Sequence, residues 1–182
     1  MRTIEVRRHS QRVRPGQHLS QWGVTLARRV GADLGPFDRV VTSPLPRCVE
    51  TAVAMGFAVD DECAQLAGDD GRGETFPGAA EVDWAAGYAG FARLIGWHSA
   101  LADFVGVQAE LWRSIARALP DGGRALIVGH GGAFLTGAAI VCQPRADHAS
   151  WGAGNGYCEG VRLHFDDDVF THVEILRVEQ RA

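Results

Sequence analysis

Residues 125–128 read ALIV, four apolar side chains with no polar alternate. Successive side chains on a strand point to opposite faces, so such a run must be covered on both sides. That is the pattern of a strand inside a parallel sheet rather than of a half-solvated one. Helix-length segments flank it. Leu101, Phe104, Gln108, Leu111, Trp112, Ile115 and Leu119 keep near-helical spacing and predict a helix over 97–119, broken by Pro120-Asp121-Gly122-Gly123. After the strand, Gly131-Gly132 leads into an apolar helix expected to run to about Val141.

The rest of the chain follows the same alternation. Thr3–Arg7 alternates and stops at an Arg-His pair, which suits a first strand. Ser20 is a suitable N-cap for a helix whose stripe is Trp22, Leu26, Val30 and Leu34, ended by Gly35-Pro36. Arg39–Thr42 reads as a second strand, and Pro44 and Pro46 open a helix through Met55 with Gly56 as its stop. Val161, Leu163 and Phe165 alternate, Asp166–Asp168 turn, and Val169–Val178 returns as the second arm of a hairpin. Residues 57–96 are expected to form a long, partly ordered loop with a short helix. Eight acidic residues between Asp60 and Asp83 face a single base there, Arg72. With no repeat or linker, the pattern predicts one α/β domain over residues 1–182 with a mainly parallel sheet.

Composition removes several function classes. All 18 basic residues are arginine, so Schiff-base chemistry and the Walker phosphate lysine are excluded. A formal net charge of -4 and a pI near 5.9 disfavour nucleic acid as a partner. Cys48, Cys63, Cys142 and Cys158 form no CxxC, and a reducing, cytoplasmic setting fits them best. The N-terminus lacks the apolar core of a signal peptide, and no run approaches a membrane span. No G-x-S-x-G elbow exists, and the glycines of GAGNGY have the wrong spacing for dinucleotide binding. His9 and His130 have no carboxylate at a recognised ligand spacing, so neither a metal nor a cofactor is expected.

Against this acidic background, residues 5–14 read EVRRHSQRVR, with Arg7, Arg8, Arg12 and Arg14 around His9. Ligands of open parallel sheets bind at the carboxyl ends of strands. His9 follows the first expected strand, His130 follows ALIVG, and Arg47 lies in the first turn of the helix after the second. Guanidinium forks would hold a dianionic phosphate, and an imidazole beside them is biased toward its neutral, nucleophilic form. His130 could donate to phosphoryl oxygens, and Gly129, Gly131 and Gly132 would let backbone approach the anion.

These residues resemble the motifs of the histidine phosphatase superfamily, the phosphoglycerate mutase-like group. Arg8-His9-Ser10 stands where its Arg-His-Gly opens, and LSQWGVTLARRVG resembles its next helix. Residues 37–52, FDRVVTSPLPRCVETA, resemble its F-D-x-V-x-[ST]-S-x-x-x-R-x-x-E-T-A block, and Val128–Gly132 matches V-G-H-G-G. The resemblance implies a three-layer α/β/α sandwich and a metal-independent phosphatase acting on a phosphomonoester. His9 would be the nucleophile, and Arg8, Arg47 and His130 the phosphate pocket, with His130 stabilising the transition state. Beside the resemblance, Gly131 is read as binding substrate through its backbone, and Arg12, with Arg14, through a second negative group. The substrate would be a phosphorylated small molecule or a phosphoprotein. A protein phosphohistidine phosphatase and a non-catalytic phosphate-binding regulatory module are the alternatives. Two departures stand out. Ser10 replaces the glycine after the nucleophile, and Gly68 occupies the place, two residues after Leu66, where many members carry a proton-donating glutamate. Asp70 and Glu74, with Asp69, are the nearby candidates for that acid.

Overall fold

A computed structural model describes residues 1–180, so the last two residues of the expected domain lie outside the described residues. Strands β1 (Arg2–Arg8), β2 (Arg39–Thr42), β3 (Asp61–Glu62), β4 (Arg124–Gly129), β5 (Gly160–Asp166) and β6 (Val169–Leu176) form one sheet ordered β3-β2-β4-β1-β5-β6. The pairs β2–β3, β2–β4 and β1–β4 are parallel, while β1–β5 and β5–β6 are antiparallel. β4 has a partner on each side, and its apolar run divides as the alternation requires. Ala125 and Ile127 enter one hydrophobic cluster, Leu126 and Val128 the other.

Those clusters define the layers. Helices α1 (Gln21–Gly31) and α2 (Pro46–Ala54) cover the face of Val40, Leu126 and Val128. Helices α3 (Gly87–Ile95), α4 (Ser99–Ala118) and α5 (Thr136–Cys142) cover the face of Ile4, Val6 and Ile127. The arrangement is the expected α/β/α sandwich with a mainly parallel sheet. Ser20 caps α1 by accepting from the Gly23 amide at 3.0 Å. The helix stops at Gly31 rather than at Leu34, with Ala32 as its C-cap, and Gly31 lets it pack tightly on Met55 at the end of α2, where a Cβ would fall 2.1 Å from the carbonyl oxygen. α4 starts two residues later than Trp97, since His98 is its N-cap and accepts from the Leu101 amide at 3.2 Å.

Two segments depart further from expectation. Residues 57–96 contain β3, 3-10 turns at Ala64–Ala67 and Trp84–Ala86, and the nine-residue α3. Tyr88, Phe91 and Leu94 of α3 are buried. The many acids and small residues of this stretch obscured where its short helix lies, since only Tyr88, Phe91 and Leu94, with the half-buried Ile95, hold it to the core. After Gly131, the chain makes a 3-10 turn at Gly132–Phe134 before α5 begins, so that helix does not start directly from the glycines.

One polar feature lies on the sheet itself. Glu5, Arg162 and Glu174 sit opposite one another on β1, β5 and β6. Arg162 pairs with Glu5 at 3.0 Å and with Glu174 at 2.8 Å, and Arg7 pairs with Glu5 at 2.6 Å. Arg7 also donates to the Cys158 carbonyl at 2.6 Å. Sequence position alone puts Arg7 with the arginines around His9. Arg7 instead points to the opposite face of β1 from Arg8 and neutralises a buried carboxylate.

Candidate active site

Sheet register brings the two histidines together. Arg8 pairs with Gly129 across β1 and β4, and Thr42 with Val128 across β2 and β4, so three adjacent parallel strands end level. His9, His130 and Ser43 each follow one of those ends. The His9 amide donates to the Gly129 carbonyl at 2.8 Å, and the two imidazole centroids lie 5.5 Å apart. Pro46 starts α2 beside them and places Arg47 in its first turn.

Partner chemistry assigns the ring protons. His9 Nδ1 lies 2.7 Å from the Ser10 carbonyl, which can only accept, so the proton is on Nδ1. Its Nε2 is left with a free lone pair. Arg47 can only donate, and its terminal nitrogen lies 3.2 Å from His130 Nδ1. His130 Nε2–H therefore donates to the Ser43 hydroxyl at 2.9 Å. Burial pushes the His9 imidazole down to about 3, helped by Arg8, Arg47 and Arg12. Burial likewise lowers His130 to about 2, with His9 and Arg47 adding repulsion. Both rings are neutral near pH 7.

A cavity of about 640 Å³ opens over His9, lined also by Arg8, Arg12, Arg14, Arg47, Glu74 and Gly131. Arg8 donates to the Asn155 carbonyl at 2.9 Å and stacks 4.8 Å from the centre of the Tyr157 ring. Arg47 is 1% exposed and donates to the Gln17 side chain and to the Arg72 carbonyl. The Nε–H groups of Arg8 and Arg47 are buried and have no protein partner. Arg12 pairs with Glu74, which lies 3.9 Å from Arg47. His130 is not in the cavity wall. Gly73 covers its ring, with φ +64° and no room for a Cβ, which would fall 2.3 Å from the imidazole. Asp70 is outside the cavity as well. Its carboxylate accepts from the Thr75 hydroxyl and from the Arg72 amide, and these bonds, the Thr75 one first, hold it below the usual carboxylate range.

A wall that sequence reasoning missed is residues 153–157, the AGNGY of the stretch weighed only as a dinucleotide motif. Asn155 is its hub. Its side-chain oxygen accepts from Tyr88 at 2.8 Å and from Thr136 at 3.0 Å, while its backbone carbonyl holds Arg8. The only sequence signal was position, since the stretch runs directly into β5, the neighbour of β1. Among the described residues, no three His, Cys, Asp or Glu side chains gather so as to hold a metal ion. No helix among them is long and apolar enough to cross a membrane.

The geometry can be set beside known proteins. The family model of the histidine phosphatase superfamily (branch 1) matches residues 3–176, nearly the whole chain. The chain belongs to the histidine phosphatase superfamily. Its fold is similar to that of a phosphoserine phosphatase from Entamoeba histolytica, solved with 3-phosphoglyceric acid, at TM-score 0.71 and 14% identity over 99% of each chain. It is also similar to a mycobacterial glucosyl-3-phosphoglycerate phosphatase, at TM-score 0.65 and 18% identity over 98% of this chain and 100% of that one. No curated protein matches the sequence.

The departure of this superfamily member at Ser10 has a local explanation. Ser10 is fully buried, its hydroxyl donates to the Gly23 carbonyl at 2.7 Å, and its amide donates to Thr51 Oγ1 at 2.9 Å. The serine ties the strand end to α1 and α2 instead of facing the cavity. The neutral histidines also make stability depend on pH. A histidine in the unfolded chain protonates near 6.5, whereas His9 and His130 resist until far lower pH. Acid therefore delivers protons to the unfolded state alone. The stabilisation is complete above about pH 6.5 and declines as pH falls toward 3, by roughly 1 kcal/mol per pH unit for each histidine. Thermal denaturation of the ligand-free protein at pH 7, 6 and 5 will show Tm falling with acidity, and less steeply in His9→Ala. A Tm independent of pH over that range would contradict the burial of two neutral imidazoles.

Proposed function

We propose that this protein is a phosphatase that hydrolyses a phosphomonoester through a phosphohistidine on His9, without a metal. The observation that carries the reading is the unpartnered Nε2 of a neutral His9, held by the Ser10 carbonyl in a cavity whose wall carries Arg8 and Arg47. The phosphoryl group would lie between those guanidinium groups, taking up donors such as the two orphaned Nε–H groups. His9 Nε2 attacks phosphorus, the N–P bond forms, and the ester P–O bond breaks with its electrons leaving on oxygen. Water then attacks the phosphohistidine, releasing inorganic phosphate and restoring the neutral imidazole. His130 accepts from Arg47 and fixes that guanidinium behind the site, and Gly131 keeps the wall next to Arg8 bare.

Glu74 is the one carboxylate in the cavity wall, so it is our choice for the group that, once it has taken a proton from water, passes it to the leaving oxygen. Arg12 holds Glu74 there, and Arg14 adds to the positive charge around the phosphoryl group. The test is hydrolysis of p-nitrophenyl phosphate in EDTA, with acid-labile, base-stable phosphate trapped on the protein by alkaline quench. Glu74→Gln, in the same assay, should lose roughly 10²-fold on an alkyl phosphate and far less on the aryl ester, whose leaving group needs no proton. Phosphate binding to the folded protein without turnover or phosphoenzyme would instead support a non-catalytic anion-binding module.

A further inference from the structure

The cavity has an apolar wall that phosphoryl chemistry does not use. Phe76, Trp84 and Phe91 line it. Phe91 is 1% exposed, whereas Trp84 is 58% exposed at the mouth. Trp84 is braced from below, with its ring centre 5.4 Å from that of Phe91 and 6.1 Å from that of Phe76, both edge-on. An indole so held, yet open over most of its surface, leaves a large apolar area in water beside the site.

Its position relative to the arginines is fixed by two adjacent glycines. A Cβ on Gly131 would lie 3.0 Å from the Arg8 side chain, and one on Gly132 would lie 2.9 Å from Phe76 and 3.5 Å from Trp84. Adjacent residues of one turn therefore face Arg8 and the ring wall, which puts the rings beside the phosphate clamp. The start of α3 at Gly87 packs on the backbone of Gly152 and Ala153, so the segment carrying Trp84 is anchored beside the 153–157 wall. Charge points the same way. The wall holds Arg8, Arg12, Arg14 and Arg47 against one carboxylate, Glu74, a surplus of three positive charges (4 − 1). A phosphoryl dianion uses two of them. Phe76, Trp84 and Phe91 carry no charge, so their part of the wall suits a flat, uncharged body.

Resting on the phosphatase reading above, we propose that Trp84 and Phe76 form the leaving-group site, and that the substrate is a monophosphate ester whose alcohol carries a planar ring. A nucleoside monophosphate fits that description. Its phosphate sits at Arg8 and Arg47, and its base stacks on Trp84. The cavity has the size of a small-molecule site rather than that of a phosphate alone.

The test compares a nucleoside 5′-monophosphate with glycerol 3-phosphate. Both release a primary alcohol, so their kcat/KM ratio reports the ring and not the leaving group. A ratio of about 10- to 100-fold in favour of the nucleotide is expected, from the worth of one base–aromatic stack. Trp84→Ala should bring the ratio close to one, and Trp84→Phe should retain most of it. A wild-type ratio near one, or a ratio that Trp84→Ala leaves intact, would overturn the proposal. If neither ester nor p-nitrophenyl phosphate is turned over, the phosphatase reading fails separately, and calorimetric Kd values for the same two compounds decide the ring site. A nucleotide preference lost in Trp84→Ala then supports the site, and equal affinities refute it.

Discussion

Replacing His9 by alanine will lower hydrolysis of p-nitrophenyl phosphate by at least about 10³-fold while phosphate still binds. The expectation follows from how the site divides its labour. Binding is the work of guanidinium groups, and Arg8 and Arg47 remain held by Asn155, Gln17 and Arg72 when the imidazole is gone. Bond formation is the work of one lone pair. No second imidazole lies in the cavity wall, and His130 behind it has both ring nitrogens engaged by Ser43 and Arg47. The variant should fold, because His9 makes one side-chain hydrogen bond, to the neighbouring Ser10 carbonyl. Steady-state rates, calorimetric phosphate titration and alkaline quench on the two proteins read all three quantities. Activity within tenfold of wild type would show that water attacks the ester directly and that His9 is only part of the binding pocket.

The largest effect on stability is expected far from the cavity, at Glu5. Its side chain is 1% exposed and is shared by Arg7 and Arg162. In Glu5→Ala, Arg162 keeps Glu174, but Arg7 is left buried with only the Cys158 carbonyl. Stranding a charge in this way costs roughly 3–5 kcal/mol, or a fall in Tm on the order of 10 °C for a chain of this length. Glu174→Ala removes only the exposed end of the same ladder and should cost under about 1 kcal/mol. The double variant Glu5→Leu/Arg7→Leu should be more stable than Glu5→Ala, because neither buried charge is then unpaired. Denaturant melts of the three variants measure this. Equal losses for Glu5→Ala and Glu174→Ala would mean that the buried pair contributes no more than a surface one.

Much of the fold was legible because its signals are local. ALIV required a strand covered on both faces, Ser20 and Pro46 marked helix starts, and Asp166–Asp168 marked the final turn. What failed was also local. Over residues 57–96, acids, glycines and alanines swamp the spacing of Tyr88, Phe91 and Leu94, so the short helix expected there could not be placed. The site divides along the same line. Arg8, His9 and Arg47 were found because strand-end placement is a rule about sequence order, and the structure brings them into one cavity.

Sequence by itself determined which chemical groups are available: guanidinium and imidazole at three strand ends, no lysine, and a glycine where an acid was expected. Tertiary structure decided which of them face the cavity. Arg7 and Arg8 are neighbours in the chain, yet the strand's alternation sends one to Glu5 and the other to the cavity. His130 reached the right place and was covered by Gly73, while Glu74 entered the wall and Asp70 turned to its own loop. The Asn155 hub and the Trp84 wall come from segments about seventy residues apart. Contacts of that range depend on how layers pack and not on any nearby residue pattern, which is why no reading along the chain could supply them.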